Sequence, residues 1–507
     1  MKRYKTVRNS VLGLIMLLSF ISVIACSSDD TIQSSDQAGD QAASISIVLN
    51  NAGRSFPDGM DGNKNPYMEY IEENVNVDIE LIYPPAEAYE ERLNVIMASG
   101  DLPDMLFSHN PSWFVDYVNQ NALEPLDDLL KEHGQNLLDN IPAEAWENVT
   151  IDGNIYAVPR ITTYPGDHIM YVRQDWLDNL AINPPKTLEE YEDVMRAFVE
   201  EDPDGNGKND TMGLIIGENL ARTQPFFGAF GIQRSQWVER DGELVYTSTL
   251  PETKEVLELL RNWYSEGLID KEWALNSTSN IEEKIANEDV GLFSAHWYDT
   301  RGPIQTNLQN NPDAEWLPLE YPEGPGDQSG TAGPHIVSGY SVIPVTSENP
   351  EAVIRMLDFM IGEGYTTLKF GFEDDVWQME GDEMVTDFEK HNDHLYRLTL
   401  AEVVEPDNMD YVNLRLDSLG KHFNLVDNLE RASEHAIKSE FLGTPTPSMG
   451  RYAATLEQTE VEVFTNIIMG NLSIDDFDVF VNDWYANGGQ DITDEVNEWF
   501  KDYQTQN

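Results

Sequence analysis

Hydrophobic and polar positions alternate along the first part of the chain in a way that changes period several times. Residues 45–49 (ISIVL), bounded by Asn50 and Asn51, read as a short strand. Residues 67–75 (YMEYIEENV) carry apolar side chains at helical spacing, and residues 77–83 (VDIELIY) return to a period of two. Residues 89–98 (YEERLNVIMA) place Leu93, Ile96 and Met97 on one helical face, Gly100 ends that helix, and residues 103–107 (PDMLF) read as a further strand. Strand, helix, strand, helix, strand at this spacing predicts a βαβ-type α/β lobe. The same alternation returns around residues 291–294 (GLFS).

Two extended segments read as crossings between lobes. One is residues 155–160 (IYAVPR), followed by Thr162, Thr163 and Tyr164. The other is residues 339–344 (GYSVIP), which lead through Ser347 and Pro350 into a helix over 351–361. From about 390 to 507 the pattern is mainly helical, without internal repeats. Trp176 and Trp263 sit beside apolar helical faces and read as core.

A length of 507 residues implies two or three packing units. The charge changes the picture more than the length does. With 91 acidic against 31 basic residues, the net charge of −60 opposes binding to a phosphate backbone and argues against a nucleic-acid partner. One cysteine excludes an internal disulfide framework or a CxxC site, and nine scattered histidines without HExxH argue against a zinc hydrolase.

The N-terminus reads as an export signal over residues 1–25. Lys2, Arg3, Lys5 and Arg8 precede an apolar core over 11–25, too short for the ~20 residues of a spanning helix. The sole cysteine ends the run Val23-Ile24-Ala25-Cys26 and resembles a bacterial lipobox. Two or three acyl chains at Cys26 anchor a protein where one chain is marginal. Residues 26–44 are small and polar and read as a flexible tether. The expected location is therefore the outer face of the cytoplasmic membrane, or the periplasm or outer membrane of a two-membrane host.

Tyr89-x-x-Arg92-Leu93-Asn94-x-x-Met97-Ala98-Ser99-Gly100-Asp101-Leu102-Pro103-Asp104 resembles the signature of extracellular solute-binding proteins of ABC importers, family 1. So do Tyr171-x-Arg173-x-Asp175-Trp176-Leu177 and Gly291-Leu292-Phe293. Gly443-Thr444-Pro445-Thr446-Pro447 and Trp484-Tyr485-Ala486-Asn487-Gly488-Gly489 resemble the large oligosaccharide-type lipoprotein subgroup. The resemblance covers nearly the whole mature chain. It implies an α/β, two-lobe periplasmic-binding-protein-like fold (type II), with interleaved lobes and a helical C-terminal part. The expected N-terminal lobe spans 45–160 plus 338–385, and the C-terminal lobe spans 161–337 plus 386–507. The implied protein is a monomer that clasps an oligosaccharide between its lobes and delivers it to ABC permease subunits.

The sharpest local motif is Asp202-Pro203-Asp204-Gly205-Asn206-Gly207-Lys208-Asn209-Asp210. Side-chain oxygens of Asp202, Asp204, Asn206 and Asp210, with the Lys208 carbonyl, occupy positions 1, 3, 5, 9 and 7 of an EF-hand-like loop, which suits a structural Ca2+ ion. Position 12 is Gly213 instead of a bidentate Glu, and Thr211 stands where alginate-oligosaccharide-binding relatives place a further carboxylate. An Asx/Gly turn without metal uses the same residue types.

A sugar ring needs flat apolar faces and planar polar groups. At strand ends and crossings the candidates are Asn110, Trp113, Arg160, Tyr164, Trp297, Tyr298, Tyr340 and Trp377. Among relatives a Trp at the place of Trp297 stacks on sugar. A uronate chain needs local positive charge, for which Arg160 and Arg173 are the nearby cations, so a neutral glycan is favoured. No GxSxG elbow, P-loop or Rossmann fingerprint marks an enzyme. A ligand-presenting receptor for a membrane sensor and a secreted carbohydrate-active hydrolase are the alternative readings.

Overall fold

The computed structural model describes residues 42–507, apart from 101, 165, 382 and 507. The export signal, Cys26 and most of the expected tether lie outside the described residues. In chain order the principal strands are β1 (Ala43–Val48), β2 (Val77–Ile82), β3 (Met105–Ser108), β4 (Val158–Ile161), β5 (His168–Arg173), β6 (Leu292–His296), β7 (Trp316–Leu319) and β8 (Val337–Val342). A five-stranded sheet runs β2-β1-β3-β8-β4, and a three-stranded sheet runs β6-β5-β7. In the first sheet β1 is parallel to β2 and β3, whereas β8 is antiparallel to both β3 and β4. The expected tether is two residues too long, because Ala43 and Ser44 already pair with Val77 and Asp78.

The helices that position the site are α1 (Pro66–Val75), α2 (Tyr89–Ser99), α3 (Pro111–Asn119), α4 (Leu188–Glu200), α5 (Pro350–Ile361) and α6 (Pro447–Ile468). Asn65 caps α1 by accepting from the N–H groups of Tyr67 and Met68. Helix α2 ends at Gly100, whose φ of 79° needs no Cβ. Val77, Ile79 and Leu81 of β2 face the core while Asp78 and Glu80 face solvent, the alternation of a half-buried strand.

The apolar interior falls into separate clusters. One gathers β1–β4, α1, β8 and α5, with Tyr396, Leu398, Leu400, Ala401, Val403 and Val404. Residues 396–404 were expected in the second lobe. They join this first core because Tyr396 packs against Phe56 and Tyr67, at 5.3 and 5.7 Å between ring centroids. A second cluster joins α4, the hairpin Trp237–Arg240/Glu243–Tyr246 and the C-terminal helices, with Trp176 and Trp263 fully buried. A third lies between β5, β6 and residues 412–432. The motif glycine Gly291 is needed here, since a Cβ would lie 2.2 Å from the Trp176 ring. Helix α6 meets α3 at Gly450, where a Cβ would come within 3.3 Å of Val115.

Candidate functional site

A cavity of about 570 Å³ lies between the first and second cores. One wall comes from the end of β3, the start of α3 and β8, through His109, Asn110, Ser112 and Tyr340. The other comes from Trp237, Tyr246, Phe441, Trp484 and the α6 side chains of Met449, Leu456 and Glu457. An adjoining cavity of about 280 Å³ shares Asn148 and His335 with it and adds Thr162, Thr163, Tyr164 and Lys438.

Tyr340 stacks on Phe114 at 4.7 Å with an interplanar angle of 11°. On the facing wall Tyr246 stacks on Trp484 at 4.7 Å and 9°, with Trp237 tilted against it at 5.4 Å. The Tyr246 ring is fixed because its hydroxyl donates to Glu460 (3.0 Å), which also accepts from Arg234 and Ser235, both at 3.1 Å. Glu460 is completely buried, and burial pushes its carboxyl above the ordinary range despite Arg234. Burial likewise raises the Tyr340 and Tyr246 hydroxyls, so both stay protonated at working pH. Glu90 is tied down by accepting from Ser108 Oγ at 2.9 Å. Asn148 donates to the carbonyls of Glu144 and Leu442, which leaves its side-chain oxygen as an acceptor. Flat aromatic surface, neutral hydroxyls and amides suit a ligand with both apolar faces and hydroxyl groups.

Of the residues picked from the sequence, Asn110 and Tyr340 line the main cavity and Tyr164 lines the adjoining one. Asn110 also caps α3, its oxygen accepting from the N–H groups of Ser112 and Trp113. Trp113, on α3, is buried against Tyr117 of the same helix, and Trp297 is buried behind Tyr164 in an edge contact at 5.4 Å. Tyr298 stacks on His296. Arg160 donates to Ser338 on the neighbouring β8. Trp377 lies in a small separate cluster with Tyr365, Phe370 and Val376, its indole N–H donating to the Gly371 carbonyl. Arg173 is 1% exposed and fully engaged by Asp175 and Glu288, so it has no free charge for a ligand. Sequence reasoning missed Trp237, Tyr246, Phe441 and Trp484 as wall residues. Part of the signal was present, since Gly443, Pro445 and Trp484 belong to the two late family-like motifs.

In the loop from Asp202 to Asp210 the carboxylates of Asp204 and Asp210 converge on the Asn206 side chain, whose Oδ1 accepts from the Lys208 N–H. Asp202 Oδ2 accepts from the Gly207 N–H. Asp202 Oδ1 is buried without a hydrogen-bond partner among the described residues. Burial, with Asp202 and Asp210 nearby, raises the Asp204 carboxyl. Converging carboxylates that repel one another and an orphaned buried oxygen fit a hard cation. The Thr211 hydroxyl is instead directed at α4, donating to the Phe198 carbonyl. At Gly213 a Cβ would lie 2.7 Å from the Leu268 carbonyl oxygen, so packing forbids a position-12 glutamate.

Two sheets with separate cores and a ligand-sized cavity between them define a two-lobed solute-binding protein. The profile of the family described as bacterial extracellular solute-binding protein matches residues 60–367, and the chain belongs to that family. The chain is 24% identical to Lipoprotein LipO of Bacillus subtilis (strain 168) over 504 residues, 96% of this chain and 97% of that one. It is 25% identical to the polygalacturonan/rhamnogalacturonan-binding protein YtcQ of the same organism, over 86% of this chain and 88% of that one. The fold also matches S. pneumoniae FusA, an ABC-transporter substrate-binding protein. FusA in complex with kestose gives a TM-score of 0.74 at 19% identity, over 92% of this chain and 100% of that one. A FusA EF-hand mutant in complex with fructo-nystose gives 0.72 at 18% identity, with the same coverage. Among the described residues no helix is long and apolar enough to cross a membrane.

Proposed function

We propose that this chain is the lipid-anchored substrate-binding subunit of an ABC importer, and that it captures a neutral oligosaccharide in the cavity and hands it to the permease. The observation that carries the reading is the wall of Trp237, Tyr246, Trp484 and Tyr340 around a 570 Å³ space reached from both cores. Stacked aromatics take the C–H faces of sugar rings, and the Tyr340, Asn110, Asn148 and His335 groups take hydroxyls. Within the range of small-molecule sites of ~300–1,000 Å³, the two adjoining cavities accommodate a few sugar units.

A ligand held by both walls favours the closed arrangement by the free energy of the contacts that only closure allows. The lobes in this reading are residues 43–161 with 337–404, and 162–336 with 405–507. The kestose bound by FusA and the pectic polysaccharides for which YtcQ is named support a carbohydrate. The lining residues favour the neutral class, because the main cavity's Asp, Glu, Lys and Arg side chains are Glu90 and Glu457 alone, and the adjoining cavity adds the opposed pair Glu144 and Lys438. Ca2+ held by Asp202, Asp204, Asn206, the Lys208 carbonyl and Asp210 would stiffen a loop that contributes no residue to the cavity.

Purified protein lacking the signal and cysteine, titrated calorimetrically with neutral fructo-, gluco- and manno-oligosaccharides and with oligogalacturonates, tests the reading. Saturable binding of a neutral oligosaccharide, recovered uncut, is the expected result. Preference for the uronates, or new reducing ends after incubation, would overturn it. Acylation is tested by mass spectrometry of the N-terminal peptide from cells, where unmodified Cys26 would remove the anchor.

A further inference from the structure

Asp167, His168 and His296 stand together where the chain from the first sheet enters the second. β5 and β6 pair antiparallel with His168 directly opposite His296, and the Trp297 N–H donates to the Asp167 carbonyl at 3.0 Å. The sheet register therefore sets three potential ligands side by side. Asp167 Oδ2 lies 3.1 Å from His296 Nδ1 and 3.3 Å from His168 Nδ1. One nitrogen or oxygen from each residue falls within 4.8 Å of the other two. His168 is only 4% exposed, yet its Nδ1 has no hydrogen-bond partner among the described residues. A buried imidazole nitrogen facing a carboxylate without a satisfied bond is costly in an otherwise well-packed strand.

We propose that Asp167, His168 and His296 form a binding site for a divalent transition-metal ion of the zinc type, distinct from the calcium loop. Two imidazoles and one carboxylate are the donor set that suits zinc, whereas calcium takes oxygen ligands throughout. Tetrahedral zinc with bonds of ~2.0–2.1 Å sets its ligand atoms about 3.3 Å apart, which the separations from Asp167 Oδ2 already approach. The fourth position takes a water molecule.

The surroundings hold the ligands in place. Tyr298 stacks on the His296 ring at 5.1 Å and 1°, and the Tyr321 hydroxyl donates to the His168 carbonyl. The His296 backbone N–H donates to Asp299 Oδ2, which also accepts from Arg222, so that guanidinium has its own counter-charge. An ion here fastens the end of the 162–167 crossing to the end of β6 and stiffens the passage between the two sheets.

The test uses tag-free protein stripped with a chelator and dialysed against Zn2+ in excess Mg2+ and Ca2+. One zinc per chain and a raised thermal midpoint are expected. Co2+ in the same site should give the visible absorption of a tetrahedral nitrogen–oxygen site. His296→Gln and Asp167→Asn, both at partly exposed positions, should each lower zinc affinity at least ~10-fold and abolish the cobalt band. Both variants should keep the calcium response and the far-ultraviolet circular dichroism of the parent. No stoichiometric zinc on the parent, affinity in both variants equal to that of the parent, or loss of zinc on Asp202→Asn instead, would overturn the site.

Discussion

Replacing Arg234 with Met isolates the one fully buried carboxylate that holds the cavity wall. Glu460 is 0% exposed, and its oxygens accept from Arg234, Ser235 and Tyr246 at 3.0–3.1 Å. Removing the guanidinium deletes a charge-assisted hydrogen bond of about 1.5–3 kcal/mol. It also leaves the carboxylate buried without its cation, for a total near 3–5 kcal/mol. Glu460→Gln should cost less, because the 22% exposed Arg234 side chain can regain water while the site loses its charge. The acid dependence carries the sign. Burial already raises the Glu460 carboxyl in the folded state, so its penalty is absent below the unfolded value of about 4.3 and present above the folded one. Loss of Arg234 raises it further, and the gap between parent and Arg234→Met should shrink as pH falls from 8 to 5. Urea unfolding followed by tryptophan fluorescence measures this. A cost below about 1 kcal/mol at pH 8, or an equal cost at both pH values, would refute the assignment of Arg234 as the counter-charge.

Tyr340→Phe keeps the stack on Phe114 but removes a hydroxyl from the cavity wall; oligosaccharide affinity should fall about 3–10-fold by calorimetry with the thermal midpoint unchanged, on the usual 0.5–1.5 kcal/mol of a hydrogen bond. Ca2+ at about a hundred times its Kd should stabilise the parent by about 2.7 kcal/mol in scanning calorimetry, and Asp202→Asn should lose that gain. His391 is 2% exposed and accepts from Arg397; burial and then Arg397 hold its pKa down to about 2. Its folded value is depressed, so the unfolded chain takes the proton first and stability falls as pH drops below about 6.5, by up to about 1.4 kcal/mol per pH unit. His391→Gln should flatten that slope between pH 6.5 and 5 in a denaturant series.

Periodicity carries α1, β2 and α2, between residues 66 and 99, because each has one solvated face. Val77, Ile79 and Leu81 inward against Asp78 and Glu80 outward leave no other register for β2. The strand β5 lacks that contrast, being buried along its whole length, and the sequence shows it only through the family-like Tyr171-x-Arg173-x-Asp175-Trp176 motif. The cavity is less legible for a different reason. Trp237 and Trp297 are 5% and 7% exposed, so a wall aromatic and a packed one look alike in composition and in local pattern. What separates them is distant chain: α6 and Trp484 arrive more than two hundred residues after the hairpin they face. Reasoning from strand ends and crossings reached Asn110 and Tyr340 because β3 ends and β8 begins at the cavity; it had no access to a wall made of a hairpin and helices distant in the chain.

Charge gives the remaining discrimination between ligand classes. The chain carries −60, and the two formal charges on the cavity lining are both carboxylates. Arg173, a cation available to a uronate on sequence grounds, is consumed by Asp175 and Glu288, and Arg160 is turned toward Ser338. A polyuronate therefore meets repulsion at long range from the surface and at short range from Glu90 and Glu457, with Lys438 of the adjoining cavity as its nearest lining cation. Surface repulsion is screened by salt, over a Debye length of about 10 Å at 0.1 M and 3 Å at 1 M, whereas stacking and hydroxyl hydrogen bonds are not. Affinity for a neutral oligosaccharide should accordingly be flat across that range of NaCl, while any binding of oligogalacturonate should strengthen as salt rises. Oligogalacturonate binding that weakens with added salt would mean a cation-lined site, and the neutral reading would fall with it.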